Sequence, residues 1–383
     1  MAEWSYAPGD PATAKAFSQF VFTQGLQACI AYKLAFVGPK RDSPDNIVQF
    51  LDELQQGPGR DVTVDLIANM IGEGTTGDNE AGPNAEALRT FQDNLKIDQL
   101  RHVAEPSGAM SQQSVHWSMR EQAKSKLADW WRQRWDTILC NHVTGNAAEI
   151  RPARIGANTI VLPDVDHCLF ANGKDTETVT AGVSANKGTT SAPLISGDVF
   201  TWDLITRAVT KMDTLATPIK PLRLKGMEIR GVALLHPLQV RSMRLNFTDG
   251  QWGQIQANAM QGGEMTKNPI FTGALGFNDG VVIHQVPRIP YGTAAQALDA
   301  NGEPRYNPLG ITSTARGVIL GAQALVFAWG RAYGSDMRLK WVEEAWDGFN
   351  KIRIYAGSIF GAKKLRFRNM DYATITLSSF EVE

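Results

Sequence analysis

The sequence predicts a mixed fold of the α+β class, on the strength of three observations. Two strand-like segments flank an acidic, glycine-rich loop, a helical period then continues for about 26 residues, and strand patterns fill most of the last third of the chain. No fixed-period repeat connects these segments. The predicted order is therefore an N-terminal arm, a long hairpin, a long helix, an α/β module and a closing set of strands.

The composition is that of a folded and nearly neutral chain. Hydrophobic residues make up 43% and charged residues 20% of its 383 residues, and the formal net charge is −1. These values exclude an intrinsically disordered chain and a protein that binds nucleic acid through bulk positive charge. At about 100–200 residues per domain, the length predicts two or three domains.

Cysteine content and hydropathy indicate the compartment. Cys29, Cys140 and Cys168 are too few and too scattered for a disulfide framework or a four-cysteine zinc site, so we expect a reduced, intracellular chain. The N-terminus shows no basic segment followed by an apolar one, and no stretch approaches the ~18 apolar residues of a membrane span. We therefore expect neither a signal peptide nor contact with a membrane.

The first hundred residues predict an arm followed by a hairpin. Residues 1–59 are interrupted by Gly-Pro and Ser-Pro breakers, which favours an arm over a packed domain. In 61–71 and 91–100, apolar and polar residues alternate as in half-buried strands, which predicts a hairpin over 60–101. Because an isolated ribbon is marginal in water, its apolar face needs a partner surface, either another subunit or the hairpin's own domain. The tip between the strands carries four carboxylates and one arginine, namely Glu73, Asp78, Glu80, Glu86 and Arg89.

A long helix is predicted at about 118–144. Ser118 and Glu121 fit a capping box at its start, and Gly145 ends the periodic run. Its apolar residues recur at three- and four-residue steps over a wide arc, so we expect the helix to pack against a sheet and against something further on its flank. The residues predicted to pack in this way are Leu127, Trp130, Trp131, Trp135 and Ile138.

Beyond the long helix, the pattern changes three times. Residues 146–200 are rich in Gly, Asn, Thr and Ser and predict loops with short strands, followed by a second helix at 198–215. An α/β module follows, and the chain closes with strands. The basic run KKLRFR (363–368) alternates charged and apolar residues, which favours a strand with one solvated face over a contact with phosphate or an acidic partner.

Motifs for chemistry are weak throughout the sequence. Gly72 to Gly77 spell G-x-G-x-x-G, but an acidic stretch broken by glycine and proline follows where a nucleotide site needs a helix, so we predict a hairpin tip. Asp164, Asp166, His167 and Cys168 mix hard and soft ligands without distant partners, which is typical of a polar turn. No nucleophile elbow, H-E-x-x-H helix or Walker A sequence is present. The sequence predicts no catalytic residues, no cofactor and no metal.

Seven segments, taken in order, resemble the major capsid proteins of the N-four-like podophage coat family. They are KIDQLRH (96–102), MSQQ (110–113), LADWW (127–131), LHPLQVRSMR (235–244), NPIFTGALG (268–276), LGAQA (320–324) and AGSIFGAKK (356–364). The resemblance implies the HK97-like tailed-phage major capsid fold. Its parts would be an N-arm at 1–59, an E-loop hairpin at 60–101, a P-domain at 102–226 with the spine helix and a loop-rich insertion, an A-domain at 227–335, and closing P-domain strands at 336–383.

The function implied by this resemblance is assembly. Copies of the chain would form the hexamers and pentamers of an icosahedral shell around double-stranded DNA, without sequence-specific contacts to it. The hairpin tip, with Glu73, Asp78, Glu80, Glu86 and Arg89, would contact a neighbouring subunit. Scaffolding, portal and decoration proteins would be further partners, and the protein would assemble in the bacterial host cytoplasm and reside in the virion capsid.

Two other functions stay open from sequence. One is a protein-cargo nanocompartment shell of the same fold, which copurified cargo or nucleic acid would distinguish from a viral shell. The other is a soluble α/β enzyme that uses the 227–335 module, which a cleft with strongly shifted titratable groups would favour.

Overall fold

A computed structural model describes residues 11–30, 45–52, 58–67, 74–76, 87, 90–177, 183–186, 192–215, 217–224, 227–246, 275–293, 307–331, 338–348 and 350–382. The α-helices in these residues are α1 (Pro11–Ala28), α2 (Ala109–Ser114), α3 (Met119–Thr144), α4 (Pro152–Ile155), α5 (Trp202–Thr214) and α6 (Pro237–Leu245). None of the helices described is long and apolar enough to cross a bilayer.

The strands are interspersed with the helices along the chain, and they pair both with neighbours and with strands distant in sequence. Those before α5 are β1 (Val48–Leu51), β2 (Asp61–Ile67), β3 (Thr90–Lys96), β4 (Asp98–Ala104) and β5 (Cys168–Phe170). Those after it begin with β6 (Leu222–Leu224), β7 (Met227–Ile229), β8 (Gly231–Leu235), β9 (Gly276–Asn278), β10 (Val281–Gln285) and β11 (Thr314–Leu320). The chain ends with β12 (Leu325–Trp329), β13 (Leu339–Trp346), β14 (Lys351–Lys364), β15 (Arg366–Phe367), β16 (Met370–Asp371) and β17 (Thr374–Phe380).

Two larger sheets organise the fold. The first has the order β1-β12-β14-β13, and β4 also pairs with β14, which is long enough to hold three antiparallel partners. The second has the order β5-β17-β11-β8-β10-β9. The ranges predicted as A-domain and closing strands contribute to both sheets, because β12 joins the first sheet and β17 the second. Sheet pairing between such distant strands leaves no local signal in the sequence.

The long helix α3 connects the two sheets. Its start is capped by Ser118, whose hydroxyl accepts a hydrogen bond from the Glu121 amide at 3.4 Å, and its end by Gly145 in the left-handed conformation, with φ 66°. It contacts β4, β12 and β14 of the first sheet and β11 of the second. Because sheets cover several of its sides, every residue from Trp135 to Thr144 is buried.

The residues predicted to pack on this helix occupy different depths. Leu127, Trp131, Trp135 and Ile138 are buried in the main core, and Trp130 is half-buried at its edge. The Trp130 ring stacks on the His102 ring of β4 at a centroid distance of 4.1 Å. The wide apolar arc therefore faces sheet along most of its width.

The segment predicted as an arm lies on its own subunit wherever it is described. Helix α1 packs against α3 and β13, and β1 pairs in parallel with β12 at the edge of the first sheet. Gly25 lets the two helices approach, because a Cβ atom there would lie 3.2 Å from the Trp135 ring and 3.3 Å from the Ala128 carbonyl oxygen.

Candidate functional site

The hairpin predicted from sequence is formed by β2 and β3, which pair in antiparallel register from Asp61 opposite Lys96 to Ile67 opposite Thr90. Its apolar face is covered by the same chain. Val62, Val64 and Leu95 are buried in a separate cluster with residues of β12 and β15 and the residue between β14 and β15, namely Val326, Ala328, Leu365 and Phe367. Of the two partner surfaces that the sequence left open, the described pairs therefore pack on the hairpin's own chain and not on another subunit.

A group of charged and aromatic contacts fixes the hairpin to this surface, and we call it the hairpin clamp: Asp93, Phe91, Lys363, Arg366 and Arg368. Lys363 forms an ion pair with Asp93 and also donates to the Asn94 carbonyl oxygen at 2.9 Å. The Arg366 amide donates to the second Asp93 oxygen at 3.0 Å, and the Arg368 guanidinium lies 4.3 Å from the centre of the Phe91 ring. A carboxylate that forms an ion pair and also accepts a hydrogen bond from a backbone amide is a strong anchor.

The basic run at 363–368 is thus engaged within the subunit, which corrects its reading as a solvated strand face. Lys364 is buried and donates to Asp371 at 2.7 Å, and the Arg366 Nε atom lies 3.0 Å from the other Asp371 oxygen. Burial lowers the pKa of Lys364, and the Asp371 carboxylate opposes that shift. Charged and apolar side chains do alternate in this run, but each charged side chain contacts a partner that is distant in sequence or lies across a tight turn.

We expect Asp93→Asn to loosen the hairpin by removing the ion pair with Lys363. The free energy of unfolding should fall by about 1.5–3 kcal/mol, since the lost hydrogen bonds involve charged groups. Hydrogen exchange of the amides in 61–67 and 90–96 should accelerate. The exposed Asp65→Asn, on the same ribbon, is the matched control and should leave both quantities unchanged. Equal exchange in the two variants would contradict the clamp.

Asn158 fixes the base of the hairpin, at the end of β3. The Lys96 amide donates to the Asn158 side-chain oxygen at 2.9 Å, and the Asn158 amide group donates to the carbonyl oxygens of Lys96 at 2.9 Å and Ala362 at 3.0 Å. Gly361 permits the crossing, because a Cβ atom there would lie 2.0 Å from the Lys96 carbonyl oxygen. Neither residue was singled out from sequence, although Gly361 lies within one of the seven resembling segments.

A second constellation lies at the end of α3, around an ion pair that is fully buried. The Arg316 Nε atom donates to Glu177 at 2.9 Å, and another Arg316 nitrogen donates to the carbonyl oxygens of Thr144 at 3.2 Å and Gly145 at 2.7 Å. Glu177 also accepts from the Ser378 hydroxyl at 2.6 Å and the Ala185 amide at 2.8 Å. One guanidinium therefore caps the helix and ties β11, β17 and the residues Glu177 and Val183 together.

Those of the remaining predicted residues that the structure describes do not form a chemical site. Glu73, Asp78, Glu80, Glu86 and Arg89 all lie outside the described residues. In the polar turn, Asp166 pairs with Lys211 at 3.4 Å and the Cys168 thiol donates to the Val165 carbonyl oxygen at 3.3 Å. Within the part of the chain that is described, no three His, Cys, Asp or Glu side chains are grouped so that they could hold a metal ion. All three cysteines are buried and unbridged.

Histidines in the core carry shifted pKa values that follow from packing. Burial lowers the pKa of His142 to about 4, despite a hydrogen bond to the Ile155 carbonyl oxygen that favours the charged form. Burial also lowers the pKa of His236 to about 4. In both cases burial is the largest cause of the shift, as expected for an imidazole packed in a core.

Comparison with known proteins gives a consistent result across sequence and fold. The profile of the phage capsid protein family matches residues 7–382. The chain is 27% identical over 338 residues to the major capsid protein of Pseudomonas phage KPP25, a match that covers 84% of this chain and 82% of the relative.

Solved structures extend the comparison to the fold. The capsid of Ralstonia phage GP4 superposes with a TM-score of 0.73 at 22% identity, covering 100% of this chain and 96% of that chain. The capsid asymmetric unit of cyanophage Pam1 gives a TM-score of 0.60 at 15% identity, covering 90% and 93% of the two chains. The predicted mixed fold of the tailed-phage HK97-like class is confirmed.

Proposed function

The chain belongs to the phage capsid protein family, and from this premise we propose that copies of it assemble as the hexamers and pentamers of an icosahedral shell. Its function is structural and not enzymatic: it is a major capsid protein of a tailed-phage head and is located in the virion. The observation that carries this function is the family match over residues 7–382, together with a fold that superposes on phage capsids along the whole chain.

The shell's contents and further partners belong to the same proposal. We expect double-stranded DNA inside, held without sequence-specific contacts, because a chain of net charge −1 offers no bulk cationic wall. We also propose scaffolding, portal and decoration proteins as partners, and assembly in the host cytoplasm. The order of the seven resembling segments supports a place among the N-four-like podophage coat proteins.

The domain ranges supply a role for each part of the chain. We propose that 60–101 is the E-loop and that its far end, beyond Ile67 and Thr90, makes the contact with a neighbouring subunit. Two features support this division. The base of the hairpin is already held by its own subunit through Asp93, and the residues beyond it include the four carboxylates of the tip. A shell needs only modest contacts of roughly 1,000–2,000 Å², repeated many times.

The assembly proposal is tested by electron microscopy and light scattering of the full chain. Wild-type protein, alone or with lysate of infected cells, should form closed shells or sheets of rings. The closed shells should enclose nucleic acid. Shells that instead enclose a defined protein cargo would favour a nanocompartment, and a species that stays small under both conditions would contradict assembly.

We expect a shortened hairpin to fold normally and to assemble poorly. Because Ile67 and Thr90 are paired, residues 68–89 can be replaced by Asn-Gly, a two-residue turn suited to antiparallel strands. The thermal unfolding midpoint of the subunit should stay within about 2 °C, whereas the yield of shells should fall at least about tenfold. A Gly/Ser replacement of equal length separates the effect of reach from that of side-chain chemistry. Normal shells from the shortened chain would contradict the E-loop assignment.

A further inference from the structure

A group of arginines lies beside the C-terminal half of α3, and we call it the arginine cluster: Arg134, Arg151, Arg154 and Arg288. Arg134 and Asn141 are seven residues apart on α3, so they share one face at a separation of about 10.5 Å. The Asn141 amide group donates to the Arg154 carbonyl oxygen at 3.1 Å. The Asn307 amide group donates to Asn141 and, at 3.4 Å, to the Arg288 carbonyl oxygen. The backbone thus holds the other arginines beside the face that carries Arg134.

The positive charges of the arginine cluster are not balanced within the described residues. Glu149 accepts two hydrogen bonds of 2.6 Å from Arg151 and lies 3.4 Å from Arg154. In the described part of the chain, neither Arg134 nor Arg288 forms an ion pair. The Arg134 Nε atom is buried without a hydrogen-bond partner, and its guanidinium lies 4.8 Å from the centre of the Trp130 ring. Among the described residues, Glu149 is therefore the one carboxylate paired with this cluster of four arginines, and it contacts two of them.

Their mutual repulsion shows in the titration of Arg134. Burial, followed by the charges of Arg154, Arg151 and Arg288, lowers the pKa of Arg134 to about 10, and the Glu149 carboxylate offsets only part of that shift. Arg134 nevertheless stays charged at neutral pH. Partly buried charges of one sign are costly unless an anion joins them, so the arrangement favours a bound acidic group.

We propose that the arginine cluster binds the acidic hairpin tip, residues 72–90, of a second copy of the chain. This inference rests on the proposed function, since it requires subunits that assemble. The tip carries four carboxylates and one arginine, which complements the excess positive charge of the cluster. Arg151 already donates paired hydrogen bonds to the Glu149 carboxylate, which is the arrangement that a carboxylate of the tip would require. A duplex would instead need a cationic surface that extends along its phosphates.

The geometry of the hairpin favours a contact between copies. Lys96, at the hairpin base, is bonded to Asn158, four residues after Arg154, so the cluster lies near the base of its own hairpin. The ribbon then runs from Lys96 to Thr90 for six residues, or about 20 Å, away from that base. A contact from the tip of one subunit to the base region of the next is head-to-tail, and repeated head-to-tail contacts close into rings.

Charge reversal on each side tests this contact in the full-length protein. We expect Arg134→Glu with Arg288→Glu to reduce the yield of rings and shells at least about tenfold, since like charges then meet. Reversal of the tip, with Glu73→Lys, Glu80→Lys and Glu86→Lys, should do the same. A chain that carries both reversals should recover assembly. The proposal would be overturned if either the arginine-reversed chain or the tip-reversed chain assembled like wild type, or if the chain with both reversals failed to recover assembly.

Three further measurements make the outcome specific. Arg132→Glu, on the exposed side of the same helix, is the matched control and should assemble like wild type. Thermal unfolding checks that each reversed subunit folds. If the chain with Arg134→Glu does not fold, the variant with Arg288→Glu alone replaces it in the test. An equimolar mixture of the two singly reversed chains should regain six-membered rings. Recovery in the combined chain without recovery in the mixture would place the contact within one chain and overturn the proposal.

Nucleic acid is the other acidic partner to be distinguished. Shells of the arginine-reversed protein that form normally but hold less nucleic acid, judged by absorbance at two wavelengths, would assign the cluster to the genome and overturn the proposal. Failure of wild-type protein to assemble would instead contradict the proposed function. The two failures are therefore distinguishable.

Discussion

Replacing Arg316 with methionine is expected to lower the free energy of unfolding of the subunit by about 3–5 kcal/mol, because Glu177 would be left buried without a counter-charge. The same change removes the donor to the carbonyl oxygens of Thr144 and Gly145 at the end of α3. Urea unfolding of the unassembled subunit measures the effect. Loss of soluble protein during expression is the expected consequence in the cell.

Two control variants give this result its physical meaning. The combined change Arg316→Met and Glu177→Met removes both buried charges, so it should recover part of the lost stability, although the helix cap stays absent. Arg353→Met breaks an ion pair with Glu105 at 3.1 Å that is about one-third exposed on both sides, and it should leave the free energy of unfolding nearly unchanged, because solvent screens an exposed pair. Equal losses for Arg316→Met and Arg353→Met would show that the buried network is not an anchor.

Truncating Trp131 or Trp135 to alanine is expected to cost about 3–5 kcal/mol, since each leaves a large cavity where α1, α3 and the first sheet meet. The Trp135 ring lies 6.0 Å from the Phe22 ring of α1 and 5.7 Å from the Trp329 ring of β12, both edge-on. Its loss should therefore also loosen α1, with faster hydrogen exchange of the amides in 14–26.

An exposed tryptophan supplies the control for these variants. The Trp117 side chain, just before α3, is 42% exposed, so Trp117→Ala should change the free energy of unfolding by no more than about 0.5 kcal/mol. Urea unfolding followed by circular dichroism compares all three variants without relying on tryptophan fluorescence. An unchanged midpoint for Trp135→Ala would show that this face of the helix does not pack in solution.

Local signals explain why the long helix could be predicted from sequence. Its cap at Ser118, its stop at Gly145 and its apolar period are all written in neighbouring residues, and the helix begins and ends within one residue of the expected bounds. The hairpin strands could be predicted for the same reason. The surface that covers the hairpin could not be predicted, because Val62 and Leu95 pack on residues more than two hundred positions away.

Charged residues were harder to place than apolar ones. The alternation in 363–368 predicted a strand with one solvated face, but Lys363 forms an ion pair with Asp93, a partner that no periodicity can identify. Arg316 carries a local signal, since it is a lone charge in the otherwise uncharged strand TARGVIL. A single arginine in such a run predicts a buried acceptor, but only the fold identifies that acceptor as Glu177.

The hairpin clamp also decides what a newly synthesised subunit presents to its surroundings. Because Val62, Val64 and Leu95 are covered before any neighbour arrives, this apolar stripe is not available to join subunits indiscriminately. In the proposed contact, neighbours meet through charged side chains, whose attraction is screened by salt and readily reversed. A subunit that joins at a wrong angle can therefore detach before its ring closes. We expect growing shells to correct their own errors at physiological salt, and to trap malformed, unclosed particles at low salt, where charge contacts last longer.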